Sequence, residues 1–145
     1  MSLEQVKATK GRVLGVDYGE ARTGIAVSDA TRFLASGSGN VQGGGLEKTA
    51  ERVLAAAKEQ NAVAVVLGLP VNMNGTEGPK AARIRELAAM IERELPVYLL
   101  DERMTTMSAA RYLNETNTRG QKRKGVIDTL SAQIILQNAL DRLKQ

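Results

Sequence analysis

Leu14-Gly15-Val16-Asp17-Tyr18-Gly19, followed closely by Arg22-Thr23-Gly24-Ile25-Ala26-Val27-Ser28-Asp29, is the stretch that decides the fold. Arg12–Tyr18 is rich in Val and Leu and predicts a strand. In Arg22–Asp29, Ile25 and Val27 fall on one face and Gly24, Ala26 and Ser28 on the other, the alternation of a second strand. The short gap contains Gly19, so the two form a hairpin. A weaker third strand is predicted near Arg32–Ser36. Gly37–Gly45 holds five glycines and reads as a loop or bulge.

Downstream the rhythm changes. Leu46, Ala50, Val53, Leu54 and Ala57 recur at helical spacing. Val63–Leu69 is continuously apolar, as in a strand buried on both faces. Ile84, Leu87, Ala88, Ile91 and Leu95 mark a second helix that Pro96 stops. Val97–Leu100 is another buried strand. Thr105 or Thr106 can cap a helix running through Leu113, and Ile127, Leu130, Ile134 and Leu140 mark a last one. The order β-β-β-α-β-α-β-α-α predicts an α/β fold, a mixed five-stranded sheet with helices on its faces. Ligands of such sheets sit beyond the carboxyl ends of the parallel strands. The 145 residues suit one domain spanning 1–145.

Composition narrows the chemistry. The chain has no Cys and no His. Ser–His–Asp and Cys–His catalysis, thiol redox chemistry, disulfides and the usual zinc sites are excluded. A metal would need oxygen ligands, which means Mg²⁺, Mn²⁺ or Ca²⁺. Twenty Lys and Arg against 16 acids leave a net charge of +4, compatible with a polyanionic partner. One Phe, three Tyr and no Trp argue against an aromatic platform for single strands. No apolar run approaches a membrane span and no signal peptide precedes the first strand, so a cytoplasmic location is expected.

Three acidic segments stand where mixed-sheet topology places a site. Asp17 closes a buried strand before the Gly19 turn. Asp101-Glu102-Arg103 leaves the end of the Val97–Leu100 strand. Asp128 lies near the start of the last helix, with Lys124 four residues before it. Each alone has a plain structural explanation: a turn Asp, a surface ion pair, and an acid favoured by the helix dipole. Alternation sends Asp101 and Glu102 to opposite faces, so only one readily joins Asp17, and alternation leaves open which. Together the three are harder to dismiss. Two carboxylates about 4 Å apart repel by about 4 kcal/mol at an effective dielectric near 20. Convergence therefore calls for protons or cations, and without His or Cys an oxygen-held divalent cation is the natural answer. Such a site supports displacement at phosphorus.

Two further segments accompany them. Gly68–Thr76 follows a buried strand and could bind phosphate or shape a surface turn. Arg119-Gly120-Gln121-Lys122-Arg123-Lys124-Gly125 places four cations in six residues around two glycines, a candidate phosphate clamp or a solvated loop. There is no G-x-x-x-x-G-K-[ST] motif, which excludes a P-loop NTPase. In Gly37-Ser38-Gly39-Asn40-Val41-Gln42-Gly43 the third glycine of G-x-G-x-x-G comes one residue late, against a dinucleotide site.

The sequence resembles the YqgF family, bacterial ribonuclease H-like proteins described as pre-16S rRNA nucleases or Holliday junction resolvase-like proteins. The resemblance runs from about Arg12 to Asp141. It rests on Leu14–Gly19 with Arg22–Asp29, on Gly68–Gly75, on Asp101–Thr106, and on Lys124–Asp128 leading to Ile134–Gln137. It implies a ribonuclease H-like fold and a catalytic, metal-holding carboxylate set of Asp17, Glu102 and Asp128, selecting Glu102 over Asp101. Asn74 stands where the family usually has Asp.

The leading expectation is an Mg²⁺- or Mn²⁺-dependent endonuclease that matures small-subunit ribosomal RNA, as monomer or homodimer. Arg22, Arg103 and Lys124 are candidate phosphate contacts, joined by Arg119, Lys122 and Arg123 of the basic segment. A four-way DNA junction resolvase would use the same chemistry in a dimer. A non-catalytic RNA-binding factor in ribosome assembly or transcription is a third reading. An actin-like or sugar-kinase-like ATPase would need two such domains.

Overall fold

The computed structural model describes residues 1–105 and 121–144, with the backbone alone described at 104 and 121–128. A short helix α1 (Leu3–Lys7) precedes strands β1 (Arg12–Asp17), β2 (Arg22–Ser28) and β3 (Ala35–Gln42). Helix α2 (Leu46–Glu59), β4 (Ala62–Leu69), α3 (Pro79–Glu92) and β5 (Val97–Asp101) follow. A 3₁₀ turn (Glu102–Met104) ends β5, and helix α4 (Gln121–Leu143) closes the chain. The strands form one mixed sheet in the order β3-β2-β1-β4-β5. β1 pairs antiparallel with β2, and β2 with β3. β4 runs parallel to both β1 and β5.

Alternation along the strands builds two cores. Leu14, Val16, Tyr18, Ile25, Val65, Leu67 and Leu69 meet α2 and α3, which contribute Val53, Ala57, Ile84, Leu87 and Ile91. Val13, Ala26, Ala64, Val66 and Leu100 meet α4 through Ala132, Ile135, Leu136, Ala139 and Leu140. The central strand β4 is covered on both faces, which is why its sequence carries no polar side chain. The buried stripe of α4 differs from the predicted one. Leu130 and Ile134 are only half-buried, and Ile135 and Leu136 take the sheet contacts.

The glycine-rich segment is the main correction. Residues from Gly37 to Gln42 are strand rather than loop, and β3 begins at Ala35 rather than near Arg32. Two features make glycine compatible with a strand here. A Cβ on Gly37 would collide with Thr129 of α4, so the helix can only cross where that side chain is missing. The β2–β3 register also shifts between Gly24 and Ala26, which oppose Asn40 and Gly37. The extra β3 residue is accommodated beside Gly39, whose φ is +88°. Propensity counts glycine against a strand, but here contact with α4 and a bulge override it.

Helix α1 has no long apolar periodicity to announce it. Ser2 and Gln5 form a reciprocal capping box. Arg32 then donates to the carbonyls of Gly11 (2.7 Å) and Val6 (3.1 Å) and to Thr9 Oγ1 (2.7 Å). The helix is held by tertiary contacts. The predicted helix from Thr105 or Thr106 to Leu113 falls on 106–113, outside the described residues. Among the described residues, no helix is long and apolar enough to cross a membrane.

Candidate functional site

Face parity assigns the acidic residues. On β1, Val13 and Gly15 face α4, so Asp17 continues that face at the strand's end. On β4 the same face carries Ala64, Val66 and Gly68, and on β5 Leu100. Gly68 lies opposite Leu100 in the β4–β5 register, and Leu67 opposite Val16 in the β1–β4 register. Glu102 is two residues beyond Leu100 and returns to the α4 side. It is 8% exposed, and its Oε1 lies 2.9 Å from where a Cβ on Gly68 would be, beside Ile135. Gly68 is therefore a socket, its missing side chain making room for the Glu102 carboxylate. Sequence alone places Gly68 near the end of the Val63–Leu69 strand and at the start of a segment that could bind phosphate or shape a turn, with no role beside Glu102. A glycine inside an otherwise unbroken apolar strand is the signal that would have found the socket.

Asp101 points the other way. It caps the 3₁₀ turn by accepting from the Arg103 amide at 2.9 Å, and it holds the Arg103 guanidinium through Nη2 at 2.7 Å. That hydrogen bond and charge keep the Asp101 carboxyl below the usual Asp range. Arg103 also reaches the Asn72 carbonyl at 3.4 Å, so it ties the end of β5 to the loop after β4.

Arg22 shares its face with Asp17. It opens β2 on the parity of Gly24 and Ala26, and Gly24 lies opposite Asp17 in the hairpin. α4 runs antiparallel to β1 across this face. Gln137 meets the start of β3, accepting from the Ala35 amide at 2.9 Å, and Thr129 donates to the Gly39 carbonyl further along at 3.0 Å. The first turns of α4 are thus at the carboxyl ends of β1 and β4.

Asp128, Lys122, Arg123 and Lys124 belong to those first turns, and their side chains lie outside the described residues, as does Arg119 altogether. The basic segment is shorter as a loop than its glycines suggested, because the helix already begins at Gln121. Gln, Lys and Arg are good helix formers, and they outweigh the single Gly125.

Among the described residues no group of three acids is gathered for a metal. What is placed is a pair, Asp17 and Glu102, on one face, at the ends of β1 and β5 with Gly68 of β4 between them. A buried carboxylate in a glycine socket, with oxygen as the only available donor, fits a hard divalent cation such as Mg²⁺ or Mn²⁺.

Residues 11–142 match the family described as RuvX, Holliday junction resolvase. The chain belongs to the RuvX family. A Ruminiclostridium cellulolyticum protein named "Putative pre-16S rRNA nuclease" is 39% identical over 135 residues, covering 91% of this chain and 95% of its own. A Rhodopseudomonas palustris protein of the same name is 45% identical over 136 residues, covering 92% and 85%. Thermus thermophilus RuvC, solved with a Holliday junction substrate, aligns with a TM-score of 0.53 at 16% identity, covering 91% of this chain and 94% of its own. That likeness establishes the ribonuclease H-like resolvase fold.

In this RuvX-family chain the loop after β4 is a built turn. The Asn72 amide donates to the Thr76 carbonyl and the Gly75 amide to the Asn72 carbonyl, both at 2.8 Å. Asn74 Oδ1 accepts from the Thr76 amide at 3.1 Å and from Thr76 Oγ1 at 2.6 Å. Asn74 thus supplies the turn's acceptor without a charge. Beyond it, Glu77 pairs with Arg85 of α3 at 2.7 Å, and this pair holds the Glu77 carboxyl below its usual range.

Proposed function

We propose that this chain is a divalent-metal-dependent endonuclease of structured RNA, acting in the cytoplasm on small-subunit rRNA precursors as a monomer or homodimer. The observation that carries the reading is the Glu102 carboxylate seated over Gly68 on the face that Asp17 continues. Asp128 would complete the set. It precedes Ala132 by four residues and Ile135 by seven, and both of these face the sheet. The names of the relatives supply the substrate.

Asp17, Glu102 and Asp128 would hold Mg²⁺ or Mn²⁺, which when bound supplies Lewis-acid activation of water and charge stabilisation at phosphorus. The chain's own groups position the strand. Arg22 lies on the same face to receive a phosphate, and Lys124, Lys122, Arg123 and Arg119 extend the cationic surface from the start of α4. Arg103 acts as a positioning residue that locks Asp101 away from the site and anchors the 72–76 turn. Hydrolysis forms a bond from water oxygen to phosphorus and breaks the bond to the 3′ oxygen, which takes up a proton. The products carry 5′-phosphate and 3′-hydroxyl ends.

The family description favours one second reading, resolution of four-way DNA junctions. Paired cuts there would need two sites in a symmetric dimer. Matched precursor RNA and junction DNA, each incubated with and without Mn²⁺ beside an Asp17→Asn control, separate the two. Cleavage of RNA alone supports the proposal, and symmetric cleavage of the junction alone replaces it. Undiminished cleavage in excess EDTA removes both.

A further inference from the structure

Asp17 and Tyr18 are consecutive, with Cα atoms about 3.8 Å apart, yet their side chains leave β1 on opposite faces. Asp17 continues the face of α4, whereas Tyr18 packs with the α2–α3 core and is 6% exposed. On Tyr18's side a cavity of about 430 Å³ opens between the β1–β2 turn and the start of α3. Tyr18, Gly19 and Glu20 form one wall, and Pro79, Lys80 and Arg83 the other. That volume falls within the span of small-molecule sites, about 300–1,000 Å³. The cavity and Asp17 are therefore back to back across the end of β1.

The lining suggests what fits. The Pro79 ring and the stems of Lys80 and Arg83 offer apolar surface beside the largely buried Tyr18. Lys80 makes no ion pair among the described residues, so its ammonium is available to an anion. Arg83 pairs with Glu20, but both side chains are more than half exposed, at 52% and 73%. Such pairs are weak and exchange readily for a phosphate. Glu20, once released, can accept from the amino or imino edge of a base. Apolar walls with two cations and one acceptor suit a base with its phosphate better than a phosphate alone.

We propose that this cavity takes one unpaired nucleotide, next in the strand to the phosphate held at Asp17 and Glu102. The adjacency rests on the nuclease reading above. The cleaved strand would then wrap the end of the sheet, scissile phosphate on the α4 face and neighbouring base on the α3 face. The substrate is thereby a strand unpaired on one side of the cut, as at a helix–single-strand boundary. An intact duplex cannot place a base there.

The test uses the full chain with Ca²⁺, a hard oxygen-seeking cation, in place of Mg²⁺ or Mn²⁺, titrated with a 5′-phosphorylated uridine trinucleotide and, separately, with uridine 5′-monophosphate, read by amide NMR shifts. The trinucleotide should move the amides of Gly19, Glu20 and Ala81. Lys80→Ala with Arg83→Ala should weaken it about fivefold or more, and Lys80→Ala alone measurably. The mononucleotide should bind about tenfold more weakly, having no neighbouring unit to hold. Shifts confined to other surfaces, unchanged affinity in both variants, or equal affinity for the mononucleotide would each overturn the proposal. The adjacency is read separately, by cleavage. An abasic residue beside the cut should slow the wild type but not the double variant, and equal slowing of both overturns it. Binding without any nuclease activity defeats the nuclease reading and leaves the cavity as a nucleotide site. Cleavage without these shifts does the reverse.

Discussion

Gly68 and Glu102 are coupled residues. An alanine at 68 would bring its Cβ to 2.6 Å from Ile135 Cδ1 and 2.9 Å from Glu102 Oε1. Gly68→Ala should destabilise by about 1–3 kcal/mol through overpacking and also displace the carboxylate. Gly15→Ala is the control. Its Cβ would lie 2.5 Å from Leu136 Cβ, with a comparable stability cost but no contact with Glu102. Denaturant melts should show both losses, whereas cleavage by the folded protein should fall much further for Gly68→Ala. Asp101 makes a separate prediction. Its carboxyl titrates below the ordinary 3.8, because Arg103 favours the ionised form. A depressed pKa means stabilisation that is complete above the unfolded value and lost as pH falls through the folded one. Asp101→Asn should therefore cost about 1 kcal/mol or less at neutral pH, since the pair is partly exposed. The difference from the parent should begin to shrink as the pH falls below about 4 and vanish only below the depressed folded-state value, as read in equilibrium melts.

At the scale of elements, α4 decides the most. It covers one face of the sheet, and its approach depends on residues too small to obstruct it: Gly15, Gly37 and Gly68 on the strands, Ala132 and Ala139 on the helix. Leu136 is fully buried over Gly15. Leu136→Ala should cost about 2–5 kcal/mol, read from urea denaturation. The hairpin, α2, α3, β4 and β5 were legible because their apolar spacing matches one period each and no competing signal interrupts it. The third strand was legible as an element but its extent was not, since Gly37 serves a contact 92 residues away in sequence, with Thr129. α1 was not, since its anchor is Arg32 from the turn before β3.

Over the whole molecule, the excess of four positive charges is small, so affinity for a polyanion must come from where the cations stand. Arg22 and the start of α4 lie toward the strand ends that carry Asp17 and Glu102. Replacing Arg119, Lys122 and Arg123 with Ala should weaken RNA binding and flatten its dependence on salt, by about 0.7–0.9 in log–log slope for each phosphate no longer neutralised. Anisotropy titrations across a salt series measure this, and an unchanged slope would assign these side chains to solvent. The triple variant should melt as the parent does, because Lys122 and Arg123 sit in the first turn of α4, before its buried stripe.

Sequence alone determined the layered α/β class and the absence of Cys and His ligands, because alternation, helical period and composition are local or additive properties. It also brought Asp17 and Glu102 forward as candidates, by their places at strand ends and by the family motif. Alternation required Asp101 and Glu102 to part without choosing between them, and the family resemblance selected Glu102. The physical reason lies only in the tertiary structure, which sets Leu100 opposite Gly68 and seats the Glu102 carboxylate where Gly68 has no side chain, on the face that α4 covers. The glycines show the same division. Their number predicts a loop, while their use as clearances for a packed helix exists only once distant segments have met.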